Sequence, residues 1–446
     1  MMATRSSSQV QRLTVDGGAG DDLIAGGGGT DFLDGGEGND TNSFQGIGFG
    51  VTANVNADGT GTAEYGPVSE TFVNFENLTG SDNDDVLTAT GAASNTLIGG
   101  LGDDFISGGG GSDITDGGEG NDTVSFADIG PAVTVSVNEL GDGTAVYSPA
   151  PGVEIVDTLT SFENFVAREG ADDTIDLSGF STGVRVDLDI NTPTPGPASQ
   201  DGVVQVGGED LFTLTDFENI IGTDFDDVLL GNNEFNVING GAGNDSIHTF
   251  GGADIADGGE GIDTLLLTAT PVGTTLDLDE DGNGTVVIGG NDADTVFNFE
   301  NISGSNVGDD ILSGNSGVNV LNGNGGNDTL NGENGDDFLN GGEGIDTAVF
   351  DSLAADLVID VDANGNGTVM RIVDGVLETD TLTSIEVIVD SEGVEVFNAL
   401  TATAPGAPSA SAVATDAPVI SPADTDAFDL ADAAAAAAFS DISEIG

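Results

Sequence analysis

The sequence predicts an all-β chain in which clusters of a parallel β-roll or β-solenoid alternate with pairs of spacer strands and end in a low-complexity C-terminal tail. Three observations carry this expectation. Nonapeptides run head to tail through 305–340, with apolar anchors Leu312, Leu321, Leu330 and Leu339 nine residues apart. The 72 glycines and few aromatics leave too little for a conventional packed core. Before residue 400 nothing has helical periodicity, whereas self-similarity at a fixed short period is the signature of repeat folds.

Each unit approximates G-G-x-G-x-D-x-U-x, where U is a large apolar residue. A glycine-rich turn ends in an Asp and is followed by one short strand whose middle side chain points inward. Two such units make a coil of about eighteen residues, and coils stack at about 4.8 Å. The first cluster occupies 17–43 and the second ends in the regular run 99–125, preceded by degenerate coils. The third spans 222–266 and the fourth 305–349.

A longer period encloses the clusters. The triplets Phe75-Glu76-Asn77, Phe162-Glu163-Asn164, Phe217-Glu218-Asn219 and Phe299-Glu300-Asn301 recur, and Ile385-Glu386 is a decayed fifth copy. Between each cluster and the next triplet the pattern predicts a strand, a Gly-rich turn and a second strand. The expected organisation is a leader (1–16), super-repeats at 17–79, 80–164, 165–221 (degenerate), 222–303 and 304–398, and an Ala/Pro/Asp-rich tail (399–446) that could hold a secretion signal. Within that tail, 424–445 is the one helix candidate.

The net charge is −74, with five arginines and no lysine. Such a surface repels nucleic acid and anionic membranes and attracts cations. A fold that keeps this charge compact is expected to need counter-ions, and divalent ones serve best. Much of the acidity sits at one fixed place in the nonapeptide, as ligation requires; salt adaptation would spread it. Calcium is a hard ion that takes six to eight oxygens, and a glycine-rich turn can supply carbonyls while the sixth-position Asp adds charge. With no cysteine, disulfides and thiolate sites are excluded. Residues 1–15 lack the apolar stretch of a Sec signal, and no run of about eighteen apolar residues exists.

The chain resembles the RTX, or haemolysin-type calcium-binding, family over most of 17–390. The resemblance implies a fold of calcium-bound parallel β-roll clusters, unfolded without the ion, and export by a type I system reading a C-terminal signal. It implies ligation at Asp22, Asp31, Asp40, Asp85, Asp104, Asp113, Asp122, Asp227, Asp245, Asp254, Asp263, Asp310, Asp328, Asp337 and Asp346. It implies turn glycines at Gly17, Gly26, Gly35, Gly99, Gly108, Gly117, Gly240, Gly258 and Gly341. Asn95, Asn236 and Asn319 replace Asp in capping coils and are expected to bind weakly or not at all. Asn42 stands at an apolar core position, where strain is expected.

Other motifs have plainer readings. The stretches 277–282 and 360–365 resemble EF-hand openings, but their twelfth positions, Ile288 and Arg371, cannot give a bidentate carboxylate; hairpin turns are expected. Gly179-Phe180-Ser181-Thr182-Gly183 matches a nucleophile elbow, yet a strand follows it where a helix is required, and His248, the single histidine, lies in another cluster. The Asn column 322, 331, 340 is expected to form one outward polar ladder, able to solubilise or to meet ice or polysaccharide. The expected role is non-enzymatic: a secreted or cell-surface calcium-binding protein of a surface layer, adhesin, matrix or filament, able to self-assemble into a homo-oligomer or filament through solenoid ends. A secretion and folding module of an extracellular enzyme, and an ice- or glycan-binding solenoid, stay open as alternatives.

Overall fold

The computed structural model describes residues 12–189, 201–270, 272–288 and 292–399. The tail, its helix candidate and most of the leader lie outside the described residues. The described part holds 41 strands and one 3-10 turn, Ala354–Asp356. Twenty-one strands form one sheet and the remainder a second sheet facing it. Successive nonapeptides send their strands to opposite sheets, so each strand pairs in parallel with the one eighteen residues on. In one sheet Phe105 pairs with Thr123 and Leu321 with Leu339; in the other Leu97 pairs with Thr115 and Leu312 with Leu330. The anchor side chains of both sheets meet between them; Leu312, Leu321, Leu330 and Leu339 are fully buried.

The spacers are three-stranded where the sequence pattern suggests two. In the first, Val51–Val55, Gly61–Tyr65 and Val68–Val73 form an antiparallel meander. Its third strand lies parallel to Phe32–Asp34 of the cluster before it, and its first strand parallel to Val86–Ala89 of the cluster after it. The meander is thus spliced into one sheet, while the strand Asn77–Thr79 bridges the two clusters in the other. The third strand escaped the sequence reading because it merges with the approach to the Phe-Glu-Asn triplet. Four more meanders repeat the arrangement, and the insertions alternate between the two sheets.

Each triplet makes the tight turn that leaves a meander. The preceding residue has positive φ in all five copies: Asn74 (57°), Ser161 (56°), Asp216 (61°), Asn298 (56°) and Ser384 (51°). This left-handed region is tolerated best by small polar residues, which explains the restriction to Asn, Asp and Ser. The Phe or Ile that follows is buried, with Phe75, Phe162, Phe299 and Ile385 fully so.

One expectation is corrected. The Asn column does not form one ladder, because consecutive nonapeptides face opposite sheets. Asn322 and Asn340 share a face and bond at 3.2 Å, while Asn331 lies in the other sheet, bonded to Glu333. The apolar position of Asn42 is fully buried, in register between Ile24 and Leu78. The 279–283 and 362–366 segments are hairpin turns in which Asp279 and Asp362 accept two backbone amides each.

Candidate metal centres

The turns between strands stack in two columns, one along each edge of the paired sheets. Within a column neighbouring turns bond directly: Gly20 donates to the Glu37 carbonyl (2.7 Å) and Glu37 donates to that of Gly18 (2.8 Å). The sixth-position Asp forms a second ladder. Its Oδ1 accepts the backbone amide of the sixth residue one coil earlier, as in Asp40 to Asp22 (2.8 Å), Asp122 to Asp104 (2.8 Å), Asp263 to Asp245 (2.7 Å) and Asp346 to Asp328 (2.8 Å).

The other oxygen is the functional clue. Oδ2 is buried without a hydrogen-bond partner in Asp22, Asp40, Asp104, Asp113, Asp122, Asp245, Asp254, Asp263, Asp328, Asp337 and Asp346, and in Asp380 of the last meander. Buried charged oxygens are ordinarily satisfied, so a column of orphans marks a place for a cation. The turn glycines enclose this space: a Cβ at Gly17, Gly26, Gly35, Gly99, Gly108, Gly117, Gly240, Gly258 or Gly341 would come within 3.2 Å of the Oδ2 of the Asp ending its own turn. One carboxylate per turn plus main-chain carbonyls is an all-oxygen donor set that suits calcium. Among the described residues, no three acidic or imidazole side chains converge on one point.

The structure sets four of the expected ligands apart. In Asp85, Asp227 and Asp310 the second oxygen is taken by an amide of the same turn, from Ser81 (2.5 Å), Thr223 (2.6 Å) and Ser305 (2.7 Å). These three begin their ladders. Asp31 holds the Leu13 amide through Oδ1 (2.6 Å) but is outside the orphan set.

Burial and the neighbouring acids raise several of the column carboxyls well above the usual range. Burial is the larger cause, and it pushes Asp104, Asp113, Asp245 and Asp328 up to about 7 and Asp254 and Asp337 to about 8.

Sequence reasoning missed the residues that end the ladders. The triplet glutamates take the place of the next Asp: Glu76 accepts the Asp40 amide (2.8 Å), Glu163 that of Asp122 (2.7 Å), Glu218 that of Asp173 (2.9 Å), Glu300 that of Asp263 (2.8 Å) and Glu386 that of Asp346 (2.9 Å). Other ladders end on meander acids, Asp157 on Asp113, Asp294 on Asp254 and Asp380 on Asp337. These same ladders begin at Asn95, Asn236 and Asn319, whose amides donate to the carbonyls of Glu76, Glu218 and Glu300. A carboxylate could not donate there, which accounts for Asn at those positions. The recurring triplet was the one signal that pointed to the caps.

The nucleophile-elbow motif has other bonds. Ser181 donates to Glu139 (2.6 Å), while His248 is buried, stacked on Phe250, and accepts that residue's amide (3.1 Å).

The model of the RTX calcium-binding nonapeptide repeat matches four segments, residues 14–41, 90–124, 230–265 and 313–348. No curated protein matches the sequence. Among solved structures, the extracellular lipase LipA from Serratia marcescens is similar over 69% of this chain and 38% of its own, at 17% identity and a TM-score of 0.18. The chain thus spans well under half of that lipase, and a likeness at this level carries no argument. The chain therefore carries four copies of the RTX calcium-binding nonapeptide repeat, each coinciding with a cluster of glycine turns that end in stacked carboxylates.

Proposed function

We propose that the chain is a secreted, non-enzymatic calcium-binding solenoid with a structural or cell-surface role, in which calcium is the condition for folding. The observation that carries this reading is the column of buried, partnerless carboxylate oxygens along two sheets that run through clusters and spacers alike. Calcium bound there would neutralise the stacked Asp side chains and complete their coordination with turn carbonyls. The orphan set from Asp22 to Asp346 would hold the ions, with the first-position glycines leaving the room. Exported into a calcium-rich medium, the chain would fold where the ion is present and stay unfolded where it is scarce.

A structural role follows from how the described residues are used: repeats and meanders make one continuous framework from Thr14–Asp16 to Glu395–Asn398. Unpaired strand edges at its ends favour end-to-end association.

A calcium titration followed by far-UV circular dichroism tests the folding claim; no gain of β signal at saturating calcium would refute it. Light scattering or cryo-electron microscopy with and without calcium tests assembly, and monodisperse monomers in both would remove the filament reading. Export of a chain lacking 423–446, measured beside the full chain, tests secretion through the tail.

A further inference from the structure

Four turns end a column at a meander, so that no further turn stacks on them: 26–31, 108–113, 249–254 and 332–337. Their outer carbonyls face a meander strand where elsewhere the next glycine turn would lie. In the first, second and fourth of these, one side chain of the meander reaches them. Tyr65 hydroxyl lies 2.9 Å from the Gly27 carbonyl, 3.2 Å from that of Gly29 and 3.0 Å from Glu70. Tyr147 hydroxyl lies 3.0 Å from the Gly111 carbonyl and 3.3 Å from that of Gly109. Arg371 donates to the Glu333 carbonyl and through Nε to Glu378 (3.1 Å), with Nη2 3.9 Å from Asp380. These carbonyls belong to the second position of the turn, and in the tyrosine cases also to the fourth.

The three donors occupy one register position. Tyr65 pairs with Val68, Tyr147 with Ile155 and Arg371 with Glu378, each two residues ahead of an acid of the same strand, Glu70, Asp157 or Asp380, of which Asp157 and Asp380 end ladders. They include both tyrosines of the chain. The fourth meander has Ile288 at this position, paired with Asp292 two residues ahead of Asp294. There the turn supplies its own donor, the Thr249 hydroxyl bonding Asp294 at 2.9 Å. A donor is therefore present at every ladder that ends on a meander acid.

We infer that these side chains are built-in substitutes for calcium: they saturate the outer carbonyls of the last turn, so the roll closes against each meander without an ion on that side. Arg371 is the fullest substitute. It is buried, carries a permanent charge and lies among Asp337, Asp380 and Glu378, with its guanidinium 5.3 Å over the Phe350 ring. A fixed cation with several donors does there what the divalent ion would do between two turns. Removing it should leave the Glu333 carbonyl and the orphan oxygens of Asp337 and Asp380, the same carbonyl and carboxylate donors that the other turns offer, for calcium to take.

The experiment is calcium counting on the full-length chain by native mass spectrometry, with circular dichroism to follow folding. The inference rests on the calcium reading above: a wild-type chain that binds no calcium overturns that reading, and only differences from wild type bear on Arg371. Arg371→Met is expected to bind one more ion per chain than wild type and to need more calcium to fold. Arg371→Lys, which keeps the charge, is expected to hold the wild-type count, and Arg371→Met with Asp337→Asn to return to no more than that count. An Arg371→Met chain that binds no extra ion, or that stays unfolded at millimolar calcium, overturns the inference, because calcium then cannot replace the arginine.

Discussion

Asp263 accepts the backbone amide of Asp245 on one carboxylate oxygen at 2.7 Å and buries the other without a partner. One side chain therefore serves two purposes, locking coil to coil through the main chain and offering a charged oxygen to a cation. The two can be separated by mutation. Asp245 stands in the same relation to Asp227 (2.8 Å), and an amide in its place keeps the accepting oxygen while losing the charge. Asp245→Asn is expected to fold in high calcium, bind at least one ion fewer, and raise the calcium midpoint about tenfold. That corresponds to about 1.4 kcal/mol, near the lower end of what one charge-assisted contact contributes. Calcium titration by circular dichroism with ion counting checks it; an unchanged midpoint and count would mean that this column position holds no ion.

Proton and calcium compete for the same oxygens. Without calcium, burial pushes Asp104, Asp245 and Asp328 up to about 7 and Asp254 and Asp337 to about 8, well above their unfolded values. Between about pH 4 and pH 8 the folded state therefore holds more protons than the unfolded one, and calcium-free stability falls as pH rises through that window. Chelated protein is expected to show its greatest β signal near the acid end and its least above pH 8, where calcium becomes indispensable. Adding calcium to weakly buffered protein near pH 7 should release protons, measurable with an indicator dye. Equal β content at both ends of the window in chelator would contradict this.

The triplet turns are expected to be the mechanical stops of each ladder. Glu300 accepts the Asp263 amide at 2.8 Å, and Phe299 is fully buried beneath it. Glu300→Ala leaves a buried amide without its acceptor, costing about 1–3 kcal/mol. Phe299→Ala should cost about 3–5 kcal/mol through the cavity it leaves. Hydrogen exchange in saturating calcium should quicken first around residues 258–266 in both variants. Exchange that quickens uniformly would show that the cap belongs to the global fold and not to its ladder.

How much of this was legible in the sequence depended on distance along the chain. The nonapeptide strands and their anchors could be read because partner and period lie eighteen residues apart or closer. The caps could not, because Asp40 and Glu76 lie 36 residues apart and Asp173 and Glu218 lie 45 apart, across a meander whose register no short pattern encodes. The triplet was visible as a recurrence but silent about its role until Glu76 was seen replacing the next Asp. Asn322, Asn331 and Asn340 misled for a related reason: a period of nine reads as one column in sequence, while the coil has a period of eighteen. Tyr65, Tyr147 and Arg371 share no residue type, and their equivalence exists only in strand register.

Asn42 offers a last test, of the core and not of the metal. It sits between Ile24 and Leu78 in the inward column, fully buried, and neither its amide oxygen nor its nitrogen has a hydrogen bond of ordinary geometry. Its side chain acts on the Glu70 carboxyl, which burial pushes up to about 7 and which already bonds Tyr65 at 3.0 Å. Removing a buried unsatisfied amide relieves a desolvation penalty of about 1–3 kcal/mol, and an aliphatic side chain adds apolar contact with its two neighbours. Extra volume offsets part of that gain, which leaves Asn42→Leu about 1 kcal/mol more stable than wild type in saturating calcium. The urea midpoint should rise while the calcium midpoint of the other clusters stays unchanged. A lower urea midpoint would show that the Asn42 amide supports Glu70, and with it the closure of the first meander, more than its burial costs.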